Sequence, residues 1–285
     1  MLQIIMLLVI AMPINEELHL KFQGEKIGHV TRSEYSVPLL DIPVINTIPY
    51  AELTNKLDAQ IRKAPENAKL DDYGNIVTEK LGHSLHKEKF RELFSDYFFG
   101  LGPATIELPI RPIYPKVDSE LLSNIKTRQL SVYVTFFNSR NKERTNNITI
   151  ATQAINNTVV FPGETFSFNK VVGKRTKEKG YLPAPVIVKG ELSEGIGGGI
   201  CQVSSTLYNA VDRAGVHIVQ RYSHSRSVPY VPPGRDATVS WYGPDFVFKN
   251  KYSHPILIRA RAIDGKMLIR VFSADDIDYR PRSGS

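Results

Sequence analysis

The chain has almost no cysteine. Cys201 is the single one among 285 residues, so no disulfide can form within the molecule and a disulfide-stapled fold is excluded. Long hydrophobic runs are also missing. The most apolar stretch, residues 1–14, is apolar apart from Gln3. As a helix it would reach about 21 Å, short of the ~30 Å hydrocarbon core of a bilayer. No Lys or Arg precedes it and no small-x-small site follows, so residues 1–15 read as an apolar leader, either an export signal or a short anchor. A metal set is lacking too. His83 and His86 are three apart, but no carboxylate or cysteine completes the group, and neither metal nor cofactor is expected. Acidic residues are outnumbered, 29 against 36 basic, for a net charge of +7 that favours anionic surroundings such as wall polymers or a membrane surface. The basic groups at 170–179 and 221–226 do not alternate with aromatics, which argues against a nucleic-acid platform.

What is present is ordinary for a globular protein: 42% hydrophobic and 23% charged residues, over a length that suits two domains. Alternation of Leu18, Leu20 and Phe22 predicts strands from 16 to about 30, turning at Gly24. Residues 39–48 are expected to be extended between prolines. Helices are expected over 50–63, with Pro49 in the first turn, and over 85–98, capped by Ser84. Residues 70–77 predict two short strands about a polar turn, and 105–111 a single strand. Residues 16–120 thus read as a small α+β module, 121–275 as a β-rich α+β domain, and 276–285 as a tail. In the second domain a helix is expected at 149–156 and a basic loop at 170–179. Extended segments are expected at 130–137, 159–168 about the turn Pro162-Gly163, 181–189, 216–222, 238–242 and 245–249. A hairpin of 255–261 and 266–273 about Asp264-Gly265 closes it.

The organising stretch is Gly-Ile-Gly-Gly-Gly-Ile-Cys-Gln-Val-Ser-Ser-Thr-Leu-Tyr-Asn-Ala, residues 195–210. Val203, Leu207 and Val211 recur at helical spacing, Ala210 and Ala214 fill the same side, and Gly215 supplies a left-handed stop. Cys201 therefore falls in the first turn of a helix of roughly 14 residues. The helix dipole there favours the reactive thiolate, and unpaired N–H groups can hold an oxyanion. Gly197, Gly198 and Gly199 would leave the approach open to a substrate backbone. The competing reading is a buried, inert thiol beside a tight turn. A nucleophilic thiolate needs a base, and His224 is the best placed of the seven histidines, with Asp236 as its orienter. Arg235 or Arg226 is a candidate carboxylate clamp, against the alternative of a surface Arg235–Asp236 ion pair.

Three blocks carry a resemblance: Phe-Pro-Gly-Glu-Thr-Phe-Ser-Phe-Asn at 161–169, the glycine and cysteine block at 197–210, and His224-Ser225 with Tyr-Val-Pro-Pro-Gly-Arg-Asp-Ala-Thr-Val at 230–239. Over 128–272 the chain resembles the VanW family, named after a protein encoded with glycopeptide-resistance genes. Residues 16–120 more weakly resemble the peptidoglycan-binding domain that commonly precedes VanW domains. The resemblance implies a protein outside the cell, in the wall or at the outer face of the cytoplasmic membrane, working on peptidoglycan stem peptides. It further implies L,D-transpeptidase-like acyl transfer, with Cys201 as nucleophile and His224 as base. Within the same motifs Gly197, Gly198, Gly199, Gln202, Ser204, Tyr230 and Arg235 are expected to bind substrate. A non-catalytic wall-binding or scaffolding protein, and a cysteine endopeptidase of stem peptides, remain as alternatives.

Overall fold

The computed structural model describes residues 16–38, 43–188 and 191–282. The apolar leader and part of the 39–48 stretch lie outside them. Two compact units form, one from residues up to Asn67 with Glu79–Lys116, the other from Ala68–Thr78 with Val117 onward.

In the first unit, β1 (Glu17–Phe22) and β2 (Glu25–Thr31) make a hairpin over Gln23 and Gly24. Both turn residues have positive φ, 52° and 82°, as a tight two-residue turn requires. After the short α1 (Arg32–Tyr35), α2 (Thr47–Ile61) starts at Thr47 rather than 50, because the Asn46 side chain accepts the Ile48 N–H at 3.2 Å and caps it there. β3 (Lys69–Leu70) and β4 (Ile76–Val77) form the short hairpin expected at 70–77, which is part of the second unit. Ser84 does not cap a helix. It lies in β5 (Gly82–Leu85) and accepts from Arg111 Nε at 3.2 Å, while His86 Nδ1 accepts the Lys89 N–H at 3.3 Å and starts α3 (Lys87–Phe99). The single strand expected at 105–111 is two, β6 (Ala104–Glu107) and β7 (Ile110–Ile113), divided before Pro109, which has no N–H to offer a ladder. β6 runs parallel to β1, and β7 pairs with β5. Leu18, Leu20, Leu57, Phe90, Phe94 and Ile106 fill the core between them.

The second unit runs α4 (Ser119–Ile125), β8 (Arg128–Phe136), α5 (Lys142–Ile155), β9 (Thr158–Val160), β10 (Thr165–Ser167), α6 (Phe168–Val172), β11 (Pro183–Val188) and β12 (Glu191–Ile196). It continues with α7 (Ile200–Arg213), β13 (His217–Gln220), β14 (Val247–Lys249), β15 (Ile256–Ile263) and β16 (Lys266–Ser273). An antiparallel sheet in the order β8–β16–β15–β9 and a smaller one, β10–β14–β13, share the unit with the hairpin β11–β12. The fold class is α+β. The β15–β16 turn at Asp264 and Gly265 has both residues at positive φ, 49° and 75°. α5 begins at Lys142, not 149, because Asn141 accepts the Arg144 N–H at 2.9 Å; its first turns are polar and carry no apolar period. Residues 159–168 turn at Pro162-Gly163 as expected, with Gly163 at φ 78°, and the strands on either side, β9 and β10, belong to different sheets. The basic stretch 170–179 opens inside α6, residues 238–242 form no strand, and β12 has no counterpart among the expected elements.

α7 is the pillar of this unit, packed against β8, β16 and α5. From Ile200 to Asp212 every residue is buried except Cys201. Its glycine turn is tied to the start of β11 by Asn147, which is fully buried. The Asn147 amide donates to Leu182 O (2.9 Å) and Gly198 O (3.1 Å) and accepts the Leu182 N–H (2.8 Å). Asn147→Ala strands all three groups, and the expected loss is about 1–3 kcal/mol or more. A lower urea midpoint with an unchanged slope would show it; an unchanged midpoint would mean the turn holds itself.

Candidate active site

The three glycines before Cys201 serve the protein's own packing rather than a substrate's approach. A Cβ on Gly198 would stand 2.7 Å from the backbone of Ala184 and of Pro185. One on Gly199, at φ 107°, would meet Ile148 Cγ1 at 2.9 Å and Arg144 Cγ at 3.2 Å. One on Gly197 would press on Arg175 Cβ and Cγ at 3.3 Å. Gly197 and Gly199 still contribute backbone to the cavity at Cys201, whereas Gly198 does not. The turn consumes part of the expected oxyanion site: Ile200 N–H donates to Gly197 O (3.2 Å) and Gln202 N–H to Gly199 O (3.1 Å). The Cys201 N–H is the first-turn donor without a backbone acceptor among the described residues.

The polar side of α7 takes the place of a strand for the segment 235–239. Ser204 donates to Ala237 O, the Ala237 N–H donates to Ser205 Oγ (2.8 Å), and Asn209 donates to Arg235 O (2.7 Å). Thr238 N–H reaches Tyr222 O at 2.8 Å, which draws 222–224 alongside. Asp236 is thereby set opposite His224. One carboxylate oxygen, Oδ2, accepts both the backbone N–H and the ring Nδ1–H of His224, each at 2.6 Å. The two side chains are only 7% and 9% exposed. With Nδ1 committed, the other ring nitrogen is left for the sulfur. Cys201 Sγ also lies 3.7 Å from Thr238 Oγ1 and 3.6 Å from Val239 O.

Burial pushes the Cys201 thiol up, but hydrogen bonding and charge from His224, with the backbone of Val239 and the Thr238 hydroxyl, bring it net below the ordinary thiol value. Burial disfavours the imidazolium of His224, yet Cys201 first and Asp236 second raise it above the ordinary imidazole value. Asp236 is raised by burial and lowered further by its bonds to His224, ending low. A lowered thiol beside a raised imidazole favours the thiolate–imidazolium form of the pair over the neutral one. Tyr230 is pushed the other way, chiefly by burial and then by the Cys201 charge, so its phenol stays neutral and keeps a proton to donate.

Cys201, His224, Tyr230 and Gln202 line one cavity of about 780 Å³. Of these, Gln202 is spent on the framework: it donates to Thr135 Oγ1 (3.0 Å) and Phe136 O (2.9 Å) and accepts from Arg144 Nη2 (2.9 Å). Ser204 is fully buried on the seam to Ala237 and does not face the cavity. Arg235 is no clamp there, nor does it pair with Asp236. It bonds Asn209 Oδ1 (2.7 Å), Tyr208 Oη (3.2 Å) and Asp212 Oδ2 (2.9 Å), fastening its loop to the middle of α7. Arg226 does not line the cavity either. Sequence reasoning missed Arg144 and Arg175, which do line it, and the exposed Trp241 and Tyr242. Arg144 lies in a polar stretch with no motif, and Arg175 is one of several basic residues at 170–179, so neither stands out in the sequence.

The alkylation rate of Cys201 by iodoacetamide should therefore titrate below the ordinary thiol value of about 8.5. A depressed pKa means the thiolate is populated from a lower pH. His224→Ala leaves burial opposed only by the Val239 backbone and the Thr238 hydroxyl, and the midpoint should move upward; Asp236→Asn should fall between. A pH–rate profile indifferent to His224→Ala would show the two groups to be uncoupled.

Comparison with known proteins places this geometry. A family model described as VanW like protein matches residues 143–272. The uncharacterized protein YoaR of Bacillus subtilis (strain 168) is 58% identical over 260 residues, covering 91% of this chain and 86% of that protein. The vancomycin B-type resistance protein VanW of Enterococcus faecalis (strain ATCC 700802 / V583) is 29% identical over 135 residues, 45% of this chain and 48% of that one. No solved structure matches. With a relative this similar along nearly its whole length, and a family model that spans Cys201, His224 and Asp236 alike, the chain belongs to the VanW-like protein family.

Proposed function

We propose that the chain is an exported cell-wall enzyme that moves an acyl group between peptidoglycan stem peptides through a Cys201 thioester, as an L,D-transpeptidase does. One observation carries the reading: sulfur, imidazole and carboxylate stand in series at the wall of a cavity large enough for a peptide. The thiolate adds to the carbonyl carbon of the third, L-linked stem residue. The Cys201 N–H and the Tyr230 hydroxyl donate to the developing oxyanion. As the C–N bond breaks, the amine of the terminal D-alanine leaves with the proton held by His224. A side-chain amine of a second stem then attacks the thioester and gives its proton to His224. The C–S bond breaks, the thiolate returns, and a 3→3 cross-link remains.

Supporting features lie around the site. Trp241 and Tyr242, 42% and 85% exposed, offer apolar surface at the cavity, and the net charge of +7 suits an anionic wall. The relative whose name cites vancomycin resistance supports a wall setting. In this reading residues 16–120 hold peptidoglycan and 121–275 carry out the transfer. No helix among the described residues is long and apolar enough to cross a membrane.

Incubation with tetrapeptide muropeptides should add the mass of the acyl tripeptide portion to the intact protein, and Cys201→Ala should abolish the adduct. His224→Ala should slow its formation by about 10²-fold or more. An amine acceptor should then yield dimers. Release only to water would instead indicate a hydrolase of stem peptides. No adduct, with sacculus binding undiminished in Cys201→Ala, would leave a wall-binding protein.

A further inference from the structure

Two arginines stand in the cavity wall with no acidic partner among the described residues. Arg144 makes one side-chain hydrogen bond, from Nη2 to Gln202, and Arg175 makes one, from Nη1 to Asn169 Oδ1 at 2.7 Å. A guanidinium has five N–H donors. Among the described residues no carboxylate lies within ion-pair distance of either, and Arg175 Nη2 is buried without any acceptor. The one acid whose charge is felt at Arg175, Asp245, is already occupied by the Ser167 hydroxyl and the Asn169 and Phe246 amides. A guanidinium drawn away from water is ordinarily matched by a carboxylate. Here no described residue supplies the matching group to these half-buried arginines.

The position of the pair is as specific as its lack of an acidic partner among the described residues. The Arg144 and Arg175 stems pack on Gly199 and Gly197, on the turn that ends at Cys201. Burial pulls both guanidiniums down, and both are opposed in part by the charge of Cys201, so each is within electrostatic reach of the sulfur. The carboxylate of a residue just beyond the attacked carbonyl lies roughly one residue's length, about 4 Å, from it.

We infer that Arg144 and Arg175 form a carboxylate clamp that confines the site to peptides whose free C-terminal carboxylate lies one residue beyond the carbonyl attacked by Cys201. This rests on the acyl-transfer reading and sharpens it: the donor is cut at its last peptide bond, and internal bonds are refused. Gln202 and Asn169 each hold one edge of a guanidinium and so fix the direction of the fork.

Iodoacetate and iodoacetamide test the clamp without a substrate, because they differ in the carboxylate while meeting the same sulfur. The ratio of their rates cancels any change in thiol ionisation. Arg144→Gln and Arg175→Gln should each lower the iodoacetate-to-iodoacetamide ratio about tenfold, and the lysine variants, which keep charge but lose the fork, by less. Equal slowing of both reagents would mean the arginines only stabilise the thiolate, and would overturn the clamp. On the unaltered protein, a tetrapeptide stem with a free C-terminus should form the thioester at least about tenfold faster than its C-terminal carboxamide. Equal rates with acid and amide overturn the clamp and leave acyl transfer standing. An adduct with neither overturns the acyl-transfer reading itself, and the donor specificity with it.

Discussion

The site depends on a seam of side-chain hydrogen bonds between a buried helix and a loop with no strand to lean on. Residues 235–239 enter no sheet, yet their backbone groups are met by Ser204, Ser205 and Asn209 of α7. Buried backbone left unpaired costs far more than these bonds contribute individually, so the loop is held only in the register that satisfies them. That register sets Asp236 behind His224 and brings Thr238 and Val239 onto the sulfur. A helix buried on all sides would normally be apolar all round. α7 instead carries polar groups that close on the helix itself, on the loop or on β8: Ser205 and Thr206 donate back to the carbonyls of Cys201 and Gln202, both at 2.7 Å, and Gln202 reaches Thr135 and Phe136.

Charge is concentrated where solvent is not. Burial works against the ionised forms of Cys201, His224 and Asp236, and each is carried past that opposition by its neighbour in the chain of bonds. The three are therefore interdependent. Removing the middle member leaves a buried carboxylate on one side and a buried thiol on the other, each without its partner. The arginines add positive charge next to the sulfur, from segments 31 residues apart (175 − 144) in sequence, and the same glycines that shape the turn give their stems room.

Much of this was legible in the chain. The period of Val203, Leu207 and Val211 and the stop at Gly215 define α7 nearly to the residue, since a long buried helix leaves a regular apolar trace. Asp264-Gly265 announces its hairpin because few pairs accept positive φ twice. Caps were harder. Asn141 and Asn46 start helices whose first turns are polar, and His86, an uncommon cap, displaced Ser84. At the site, Cys201, His224 and Asp236 have residue types that advertise chemistry. The ties of Arg235 to α7 could not be read, because a clamp and a brace use the same guanidinium. Arg144 and Arg175 become noticeable only when folding draws them partly from water with no acid among the described residues beside them.

One carboxylate oxygen grips both the main chain and the ring of the same histidine. That makes acid and imidazole a single mechanical piece, hinged at neither joint. Any displacement of Asp236 would therefore carry the ring with it, and the distance from ring to sulfur is the one spacing in the series that this grip does not fix.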